Sequence, residues 1–545
     1  MSEFIKKHPY FCVVLSGALL YLRCLSFDFS YLDDQALVLG NQAFLSRFSN
    51  IIPAFRTDVF SMLHAGAAYY RPLLTVSFIL DAQWGGVAPA AYHLTNLLIH
   101  LAVSCLVYRF LTALEYREGV ALFFALVFTV HPALTQVVAC IACRNDSLLT
   151  FFALAAFISL EKFLRTGSAR AGAGHLLCFI LALFSKETAV AIIPMALVFL
   201  AGLSRERLFS RKTGLLGLGW SASLAVWLWL RHAALVNPIK TTVGDMALSA
   251  WRSLPALVPF AGKIVLPFNL AVLPVLPDAS FLYGSVAFAV LAWAMLVSRG
   301  QSWPRVAFGL AWFLLFLLPS FVRPDPAAIV DLGEHRLYLP MIGAIVLLCE
   351  LDWVRARAAA PRAAPYAAGL GLALLAALAW RHSGDFKDRL HFWRSAAATS
   401  PHSPLAHRNL GAMYYLDGRP DLAEPEYLRA LELNAREPMA HNNLGLIYMQ
   451  RGKLQAAERE YRQELAVNPD YDNAFFNFGL LCYAQGRFSE AEDLWKRTLQ
   501  SNPDYIDAYR DLALLYYQRK DFTQARAYAE LLQKRGVPSP FARPR

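Results

Sequence analysis

About eleven apolar stretches, most of them long enough to cross a bilayer, fill the first 381 residues of this 545-residue chain, and none follows. They run roughly over 9–27, 92–112, 119–137, 147–164, 173–185, 188–203, 214–231, 281–298, 306–320, 339–351 and 365–381. Hydrocarbon offers the backbone no water to bond, so such stretches must be helices or closed barrels, and runs approaching 20 apolar residues fit helices. Composition agrees. Apolar residues make up 57% and charged residues 17%, against about 45–50% and about 25% in soluble domains, and mean hydropathy is +0.38. Two further runs, 71–84 and 255–276, are too broken by Pro, Arg or Lys to span, and read as interfacial or re-entrant helices.

The formal charge of +11 falls largely between the apolar runs, so it reads as a determinant of topology and not as a nucleic-acid surface. Lys6/Lys7, Arg165/Arg170, Arg205/Arg207/Arg211/Lys212, Arg299/Arg305 and Arg355/Arg357/Arg362 mark alternate connections. The positive-inside rule places these in the cytoplasm. An odd number of spans then puts the N-terminus inside and the C-terminus outside, in periplasm or lumen. The N-terminus has a basic start and an apolar stretch without a clear A-x-A site, and reads as an uncleaved first span. Of eight cysteines only "CIAC" (Cys140, Cys143) forms a motif, and with no second ligand pair nearby it reads as helix packing.

The remainder repeats. "AHRNLGAMYYLDGRPDLAEPEYLRALELNA", "AHNNLGLIYMQRGKLQAAEREYRQELAVNP", "AFFNFGLLCYAQGRFSEAEDLWKRTLQSNP" and "AYRDLALLYYQRKDFTQARAYAELLQKRG" align at a spacing of about 34, the tetratricopeptide (TPR) period. Ala406, Ala440, Ala474 and Ala508 keep that register, as do Ala423, Ala457, Ala491 and Ala525, small residues where paired helices press together. Gly418, Gly452 and Gly486 supply turns, and Pro469 and Pro503 close units. Pro425 is expected to shorten the second helix of the first repeat. The chain therefore divides into a membrane domain over 1–385 and a TPR domain over 386–545. The latter holds a half-unit at about 388–403 and repeats at about 404–437, 438–471, 472–505 and 506–536. Stacked repeats offer a concave face. The first helix of each repeat should expose Asn409, Asn443, Asn477 or Asp511 there, a row suited to an extended peptide.

Polar residues that interrupt apolar sequence gather on the proposed outer side: "YLDDQ", "YYRPL", "YHLTN", "HPALTQ", "CRNDS", "SKET" and "EHRLYLP". Charges at membrane depth are costly, so a one-sided set marks a functional site. The set suits group transfer from a phosphate-linked donor. Cations hold the phosphate and stabilise its charge as it leaves, and a carboxylate takes the proton from an incoming hydroxyl.

Taken in order, "YLDDQALVLGN", "YYRPLLTVSFILD", "YHLTNLLIHL", "HPALTQVVACIACRND", "FSKETAV" and "EHRLYLPMIG", followed by TPRs, resemble the transmembrane-and-TPR-containing O-mannosyltransferases of the GT-C glycosyltransferase superfamily. "KIVLPFNLAVLPVLP" is similar to that family's central region. The resemblance implies an all-α, GT-C-like membrane domain followed by the TPR solenoid. It implies transfer of a sugar, mannose or another hexose, from a polyprenyl-phosphate donor to Ser/Thr hydroxyls of a protein, with inversion. Carried over, Asp33 is the expected base, with Asp34 supporting it or binding sugar. Arg71, Arg144, Lys186, His335 and Arg336 are expected at the donor phosphate, and His93, Asp146, Glu187 and Glu334 as orienting groups. A divalent cation bridging Asp33, Asp34 and phosphate is compatible with this set, though nothing in the sequence demands a metal. The expected partners are the lipid-linked sugar, a protein or peptide acceptor held by the TPRs, and membrane lipid. Two alternatives stay open: the same chemistry on a glycan or lipid acceptor, and a lapsed membrane-anchored TPR scaffold. The single sequon at Asn145 and the Ala/Leu/Arg-rich composition favour a bacterial inner membrane with periplasmic TPRs over the endoplasmic reticulum.

Overall fold

The computed structural model describes residues 3–60, 69–203, 210–235, 241–322, 329–355 and 364–541. Arg205, Arg207, Arg357 and Arg362, expected in cytoplasmic connections, lie outside the described residues. Those described are mainly helical, and the sole β-bridge among them pairs Val275 with Asp331. Contacts divide the chain into two units, Met1–Ser400 and Pro401–Arg545.

In the first unit the helices used below are α1 (Pro9–Tyr21), α2 (Pro72–Gly85), α3 (Pro89–Ala113), α4 (Glu118–Val130), α5 (Thr135–Ala139), α6 (Arg144–Thr166), α7 (Ala169–Ser185) and α8 (Ile192–Leu203). They continue with α9 (Arg211–Ala234), α10 (Val243–Ser253), α11 (Leu257–Val265), α12 (Phe281–Val297), α13 (Trp303–Leu317), α14 (Pro340–Cys349), α15 (Ala364–Ser383) and α16 (Arg389–Thr399). Proline opens α1, α2, α3 and α14, where its missing N–H costs no helical bond.

All eleven expected spans fall on helix, but their lengths differ. Among the described residues, five helical segments are long and apolar enough to cross a membrane: Pro9–Ser26, Pro89–Ala113, Ile141–Thr166, Arg211–Ala234 and Trp303–Phe321. A sixth is counted if Glu118–Val130 and Pro132–Ala139, bent by 56°, act as one. Ala169–Ser185, Glu187–Gly202, Phe281–Val297 and Pro340–Cys349 are apolar but shorter, and 365–381 lies within α15. The chain is thus a multi-pass membrane protein whose helices are repeatedly interrupted. The interruptions have local causes. Pro132 cannot continue α4, and His131 caps the new turn by accepting from the Ala133 N–H at 3.3 Å. Lys186 is extended, at φ −161°, between α7 and the 3-10 turn Glu187–Ala191. Around Trp312, the rings of Phe110, Phe157, Phe308 and Phe316 pack at centroid distances of 4.8–5.6 Å, binding α3, α6 and α13 into one core.

The expected half-unit α16 falls within this first unit, so the contact boundary lies later than 385/386. Ser400 Oγ donates to the Leu273 carbonyl at 2.8 Å, and the Asp28 N–H donates to the Lys387 carbonyl at 2.8 Å.

The second unit consists of four helix pairs: α17 (Pro404–Leu416) with α18 (Pro420–Leu433), α19 (Ala440–Gln450) with α20 (Leu454–Val467), α21 (Asp472–Ala484) with α22 (Phe488–Ser501), and α23 (Ile506–Gln518) with α24 (Phe522–Lys534). The eight register alanines are all buried. Gly418, Gly452 and Gly486 turn with φ of +70°, +72° and +75°, and Lys520 takes the same left-handed turn in the fourth repeat at +63°. Gly411 and Gly445 let Tyr427 and Tyr461 approach: a Cβ there would lie 3.0 and 2.6 Å from the ring carbons. Gly479 makes the same allowance for Trp495. In the fourth repeat the two sizes exchange, with Ala513 facing the position where Ala529 replaces the large ring; both are buried. Pro425 does not shorten its helix: α18 keeps 14 residues, as α20 and α22 do. Its ring sits in the second turn, where one lost backbone bond is tolerated.

Candidate active site

The loop after α1 gives its two acids opposite surroundings. Asp34 turns inward and is buried. Its Oδ2 accepts from the Ser30 N–H at 2.7 Å, its Oδ1 from the Leu32 N–H at 2.9 Å, and both oxygens lie 3.1 Å from Ser30 Oγ. The carboxylate thereby ties down the loop that precedes it, in which Tyr31 takes the left-handed conformation at φ 58°. Burial pushes the Asp34 carboxyl up to about 6, against the pull of the Ser30 hydrogen bonds. Asp33 turns outward and keeps an accessible carboxylate with no hydrogen-bond partner among the described residues. Its backbone carbonyl accepts from the Leu37 N–H at 2.8 Å, which fixes the start of the next helical turn. Enclosure by the surrounding protein pushes Asp33 up as well, and the positive charge of Arg71 partly offsets it.

Cations gather opposite. Arg71, just before α2, donates from Nε to Glu187 Oε2 at 3.0 Å, while the Tyr70 N–H donates to Glu187 Oε1 at 3.0 Å. Its guanidinium carbon stands 4.4 Å from the Tyr69 ring centroid, and neither Nη atom has a protein partner among the described residues. Lys186 pairs with Asp146 Oδ1 at 2.7 Å, and the buried Asp146 Oδ2 has no hydrogen bond among the described residues. Arg336 is anchored to Asp331 at 2.5 Å. His335 lies between them. Burial first, then the charges of Lys186, Arg336 and Arg71, hold its imidazole well below the usual range, so it is neutral. Its backbone N–H donates to Gln136 Oε1 at 3.1 Å, and Gln136 Nε2 donates to the Val272 carbonyl at 3.2 Å, which ties "HPALTQ" to both the central region and "EHRLYLP".

Three expected site residues are placed otherwise. Arg144 is wholly buried and spends its guanidinium inside the protein: Nη1 pairs with Asp81 Oδ2 at 2.6 Å, Nε donates to Asn96 Oδ1 at 2.6 Å, and Nη2 donates to the Tyr92 carbonyl at 2.8 Å. With Phe78 stacked 4.6 Å away, it clamps α2, α3 and α6 and has no fork turned toward a phosphate. Glu334 is equally buried. It accepts from Lys263 Nζ at 2.5 Å and the Ala271 N–H at 2.9 Å, and its other oxygen lies 3.0 Å from His382 Nε2. This acid therefore holds the "EHR" turn in place from behind. His93 is buried edge-on to Phe27, 6.1 Å between centroids, with the Asp28 backbone nearby and, among the described residues, no hydrogen bond of normal geometry at either ring nitrogen.

Asp81, Asn96, Lys263 and His382 are the partners sequence reasoning missed. Asp81 carries the best signal, an acid at the end of the apolar run "PLLTVSFILD". No group of three or more His, Cys, Asp or Glu side chains arranged to hold a metal occurs among the described residues. In the repeats, Asn409, Asn443, Asn477 and Asp511 are half-buried rather than exposed. Asn477 Nδ2 donates to Asn442 Oδ1 at 2.9 Å and Asn442 Nδ2 to Asn443 Oδ1 at 3.1 Å, so two members of the row are linked through buried Asn442.

An accessible acid facing a cluster of cations can take a proton from a hydroxyl while a phosphate leaves. Comparison with known proteins bears on that chemistry. The family model for the tetratricopeptide repeat matches residues 383–438, 417–474, 442–504 and 476–540. Protein O-mannosyl-transferase F38B6.6 of Caenorhabditis elegans is 25% identical over 436 residues, covering 76% of this chain and 61% of the relative. Protein O-mannosyl-transferase TMTC2 of Mus musculus is 37% identical over 194 residues, covering 34% of this chain and 23% of the relative. Protein O-mannosyl-transferase Tmtc1 of Drosophila melanogaster is 31% identical over 176 residues, covering 31% and 20%. Among solved structures, that of MamA overlaps at TM-score 0.26 and 22% identity, covering 29% of this chain and 91% of its own, too low a score to carry an argument. The chain spans less than two thirds of the length of these curated relatives. Their names and the TPR match bear out the resemblance read from the motifs. All three are animal proteins, which lends no support to a bacterial membrane over the endoplasmic reticulum.

Proposed function

We propose, on the premise of this likeness to protein O-mannosyl-transferases, that the protein moves a hexose, mannose foremost, from a polyprenyl-phosphate donor to Ser/Thr hydroxyls of a protein. The site would lie on the outer side of the membrane, with the N-terminus cytoplasmic. The single observation that carries the reading is the accessible carboxylate of Asp33, without a hydrogen-bond partner among the described residues, with the charge of Arg71 acting on it and Lys186, neutral His335 and Arg336 gathered about Arg71. Asp33 takes the acceptor proton as the hydroxyl attacks the anomeric carbon. Its pKa, raised by burial, makes it a stronger base than a free aspartate. The Nη groups of Arg71 and the Arg336 guanidinium receive the departing phosphate, whose charge they neutralise. Neutral His335 offers a hydrogen bond without adding a further repelled cation. Asp34 binds no substrate; it sets the loop that presents Asp33. Single-displacement attack with one base inverts the anomeric centre. The TPRs favour a protein acceptor over a glycan, because stacked repeats bind peptides along one face.

The test is transfer by the purified protein of radiolabelled mannose from polyprenyl-phosphate mannose to a Ser/Thr-containing polypeptide, with the product linkage read by glycosidase digestion. Inverted linkage on the polypeptide is the expected result. Label found only on lipid or glycan would move the acceptor, and no transfer from any polyprenyl-phosphate hexose would end the reading.

A further inference from the structure

Helix α10 (Val243–Ser253) is amphipathic the wrong way round for a helix facing water. Its inward side is small and polar. Ser249 and Ser253 are buried, and their hydroxyls lie 3.0 and 3.4 Å from the Phe321 carbonyl, with Ser253 also donating to the Ser249 carbonyl at 2.9 Å. Its outward side is apolar. Val243, Ala247, Trp251 and Leu254 follow one another at steps of four, four and three, a single stripe on a helix, and all are exposed. Val243 is 83% exposed and Trp251 72%. Charge is confined to the ends: Asp245 in the first turn, where it forms a capping box with Thr242, and Arg252 in the last.

A stripe of this kind turned to water forgoes the favourable burial of each of its large apolar side chains. The inward serines, meanwhile, are satisfied by protein carbonyls, so the helix is held in this rotation. At 11 residues, or about 16 Å, it is too short to span a hydrocarbon layer of about 30 Å. Leu282, Trp293 and Leu296 on α12, an expected span in the same unit, are likewise strongly exposed. An apolar stripe ending in a tryptophan and an arginine matches a helix lying in a membrane interface, the ring at the headgroup level and the guanidinium reaching outward.

We infer that α10 lies in the plane of the bilayer surface, with Val243, Ala247, Trp251 and Leu254 among the acyl chains and Arg252 among the headgroups. The partner is bilayer lipid. The inference rests on the multi-pass architecture and not on the proposed transfer activity, so inactive protein would leave it standing.

The test uses the full chain in phosphatidylcholine vesicles. Val243→Cys, Trp251→Cys and, in case either misfolds, Leu254→Cys are labelled with an environment-sensitive fluorophore. Unmutated protein is labelled alongside to subtract signal from native cysteines, and Leu416→Cys on the repeats serves as the reference. The expected result is blue-shifted emission at the α10 positions, with quenching by spin-labelled lipid several-fold stronger than at Leu416→Cys. Aqueous emission equal to the reference would overturn the inference. So would blue-shifted emission insensitive to spin-labelled lipid, which would signify cover by protein, including a second copy of this chain.

Discussion

In the repeat unit, a departure from pattern is answered at a fixed distance along the chain. Where the fourth repeat loses its glycine at Ala513, it also loses the facing ring, at Ala529, and the helices still close. In the membrane unit, departures are left open. Helices stop at His131 and Lys186, a 3-10 turn starts at Glu334, and it is around those breaks that Asp33, Arg71, His335 and Arg336 meet. A unit built from one repeated contact can absorb irregularity, whereas a unit that must hold charge inside an apolar body concentrates it.

The largest effect expected from this contrast is at Arg144. Arg144→Ala strands Asp81 as an uncompensated buried charge and should destabilise the membrane unit by about 3–5 kcal/mol. Arg71→Ala, whose partner Glu187 is part-exposed, should leave stability nearly unchanged and lower transfer instead. Thermal unfolding of the two variants in the same detergent separates the roles. Equal melting temperatures would mean that Arg144 is no clamp.

Next in size is Gly445→Ala, which drives a methyl group to within 2.6 Å of the Tyr461 ring and should cost about 1–3 kcal/mol. In a Tyr461→Ala background, which copies the Ala513–Ala529 pairing, the same change should be neutral or stabilising. A double-mutant cycle by chemical denaturation reads the coupling, and additive effects would refute the exchange of sizes.

A smaller effect is expected with pH. Burial, reinforced by Asp507, pushes Asp511 up to about 6. A raised folded-state value means stability that is full below the unfolded value of about 4 and is lost as pH rises through about 6. Asp511→Asn should flatten that decline in the repeat unit's melting curve between pH 4 and 7. An unchanged slope would contradict it.

Smallest is Lys520→Gly, which relieves a left-handed residue at φ 63° and should gain about 0.5–1 kcal/mol in denaturant midpoint measurements. The opposite sign would mean the lysine side chain earns its place.

How much was legible follows the same division. The helix pairs, their alanines and their glycine turns stood in the sequence because each contact recurs at one spacing. Pro425 reads as a helix breaker from sequence alone, but α18 carries it within an intact 14-residue helix. In the membrane unit, segments were legible as apolar runs, and the gathering of Asp33, Arg71, Lys186, His335 and Arg336 as polar interruptions. The division of labour within that set was not. Nothing local distinguishes Asp33 from Asp34; only the fold of the Ser30–Asp34 turn does. Arg144 and Arg71 look alike until Asp81 and Asn96, brought in by other helices, claim one of them.

The central claim is that the two adjacent acids divide the work, one for chemistry and one for the loop. The direct measurement is single-turnover transfer from polyprenyl-phosphate mannose by Asp33→Asn, beside its melting temperature in the same preparation. Loss of the proton acceptor should lower the rate on the order of 10²–10⁴-fold with melting unchanged, because Asp33 makes no side-chain bond to protein among the described residues. Near-normal turnover by Asp33→Asn would contradict the account.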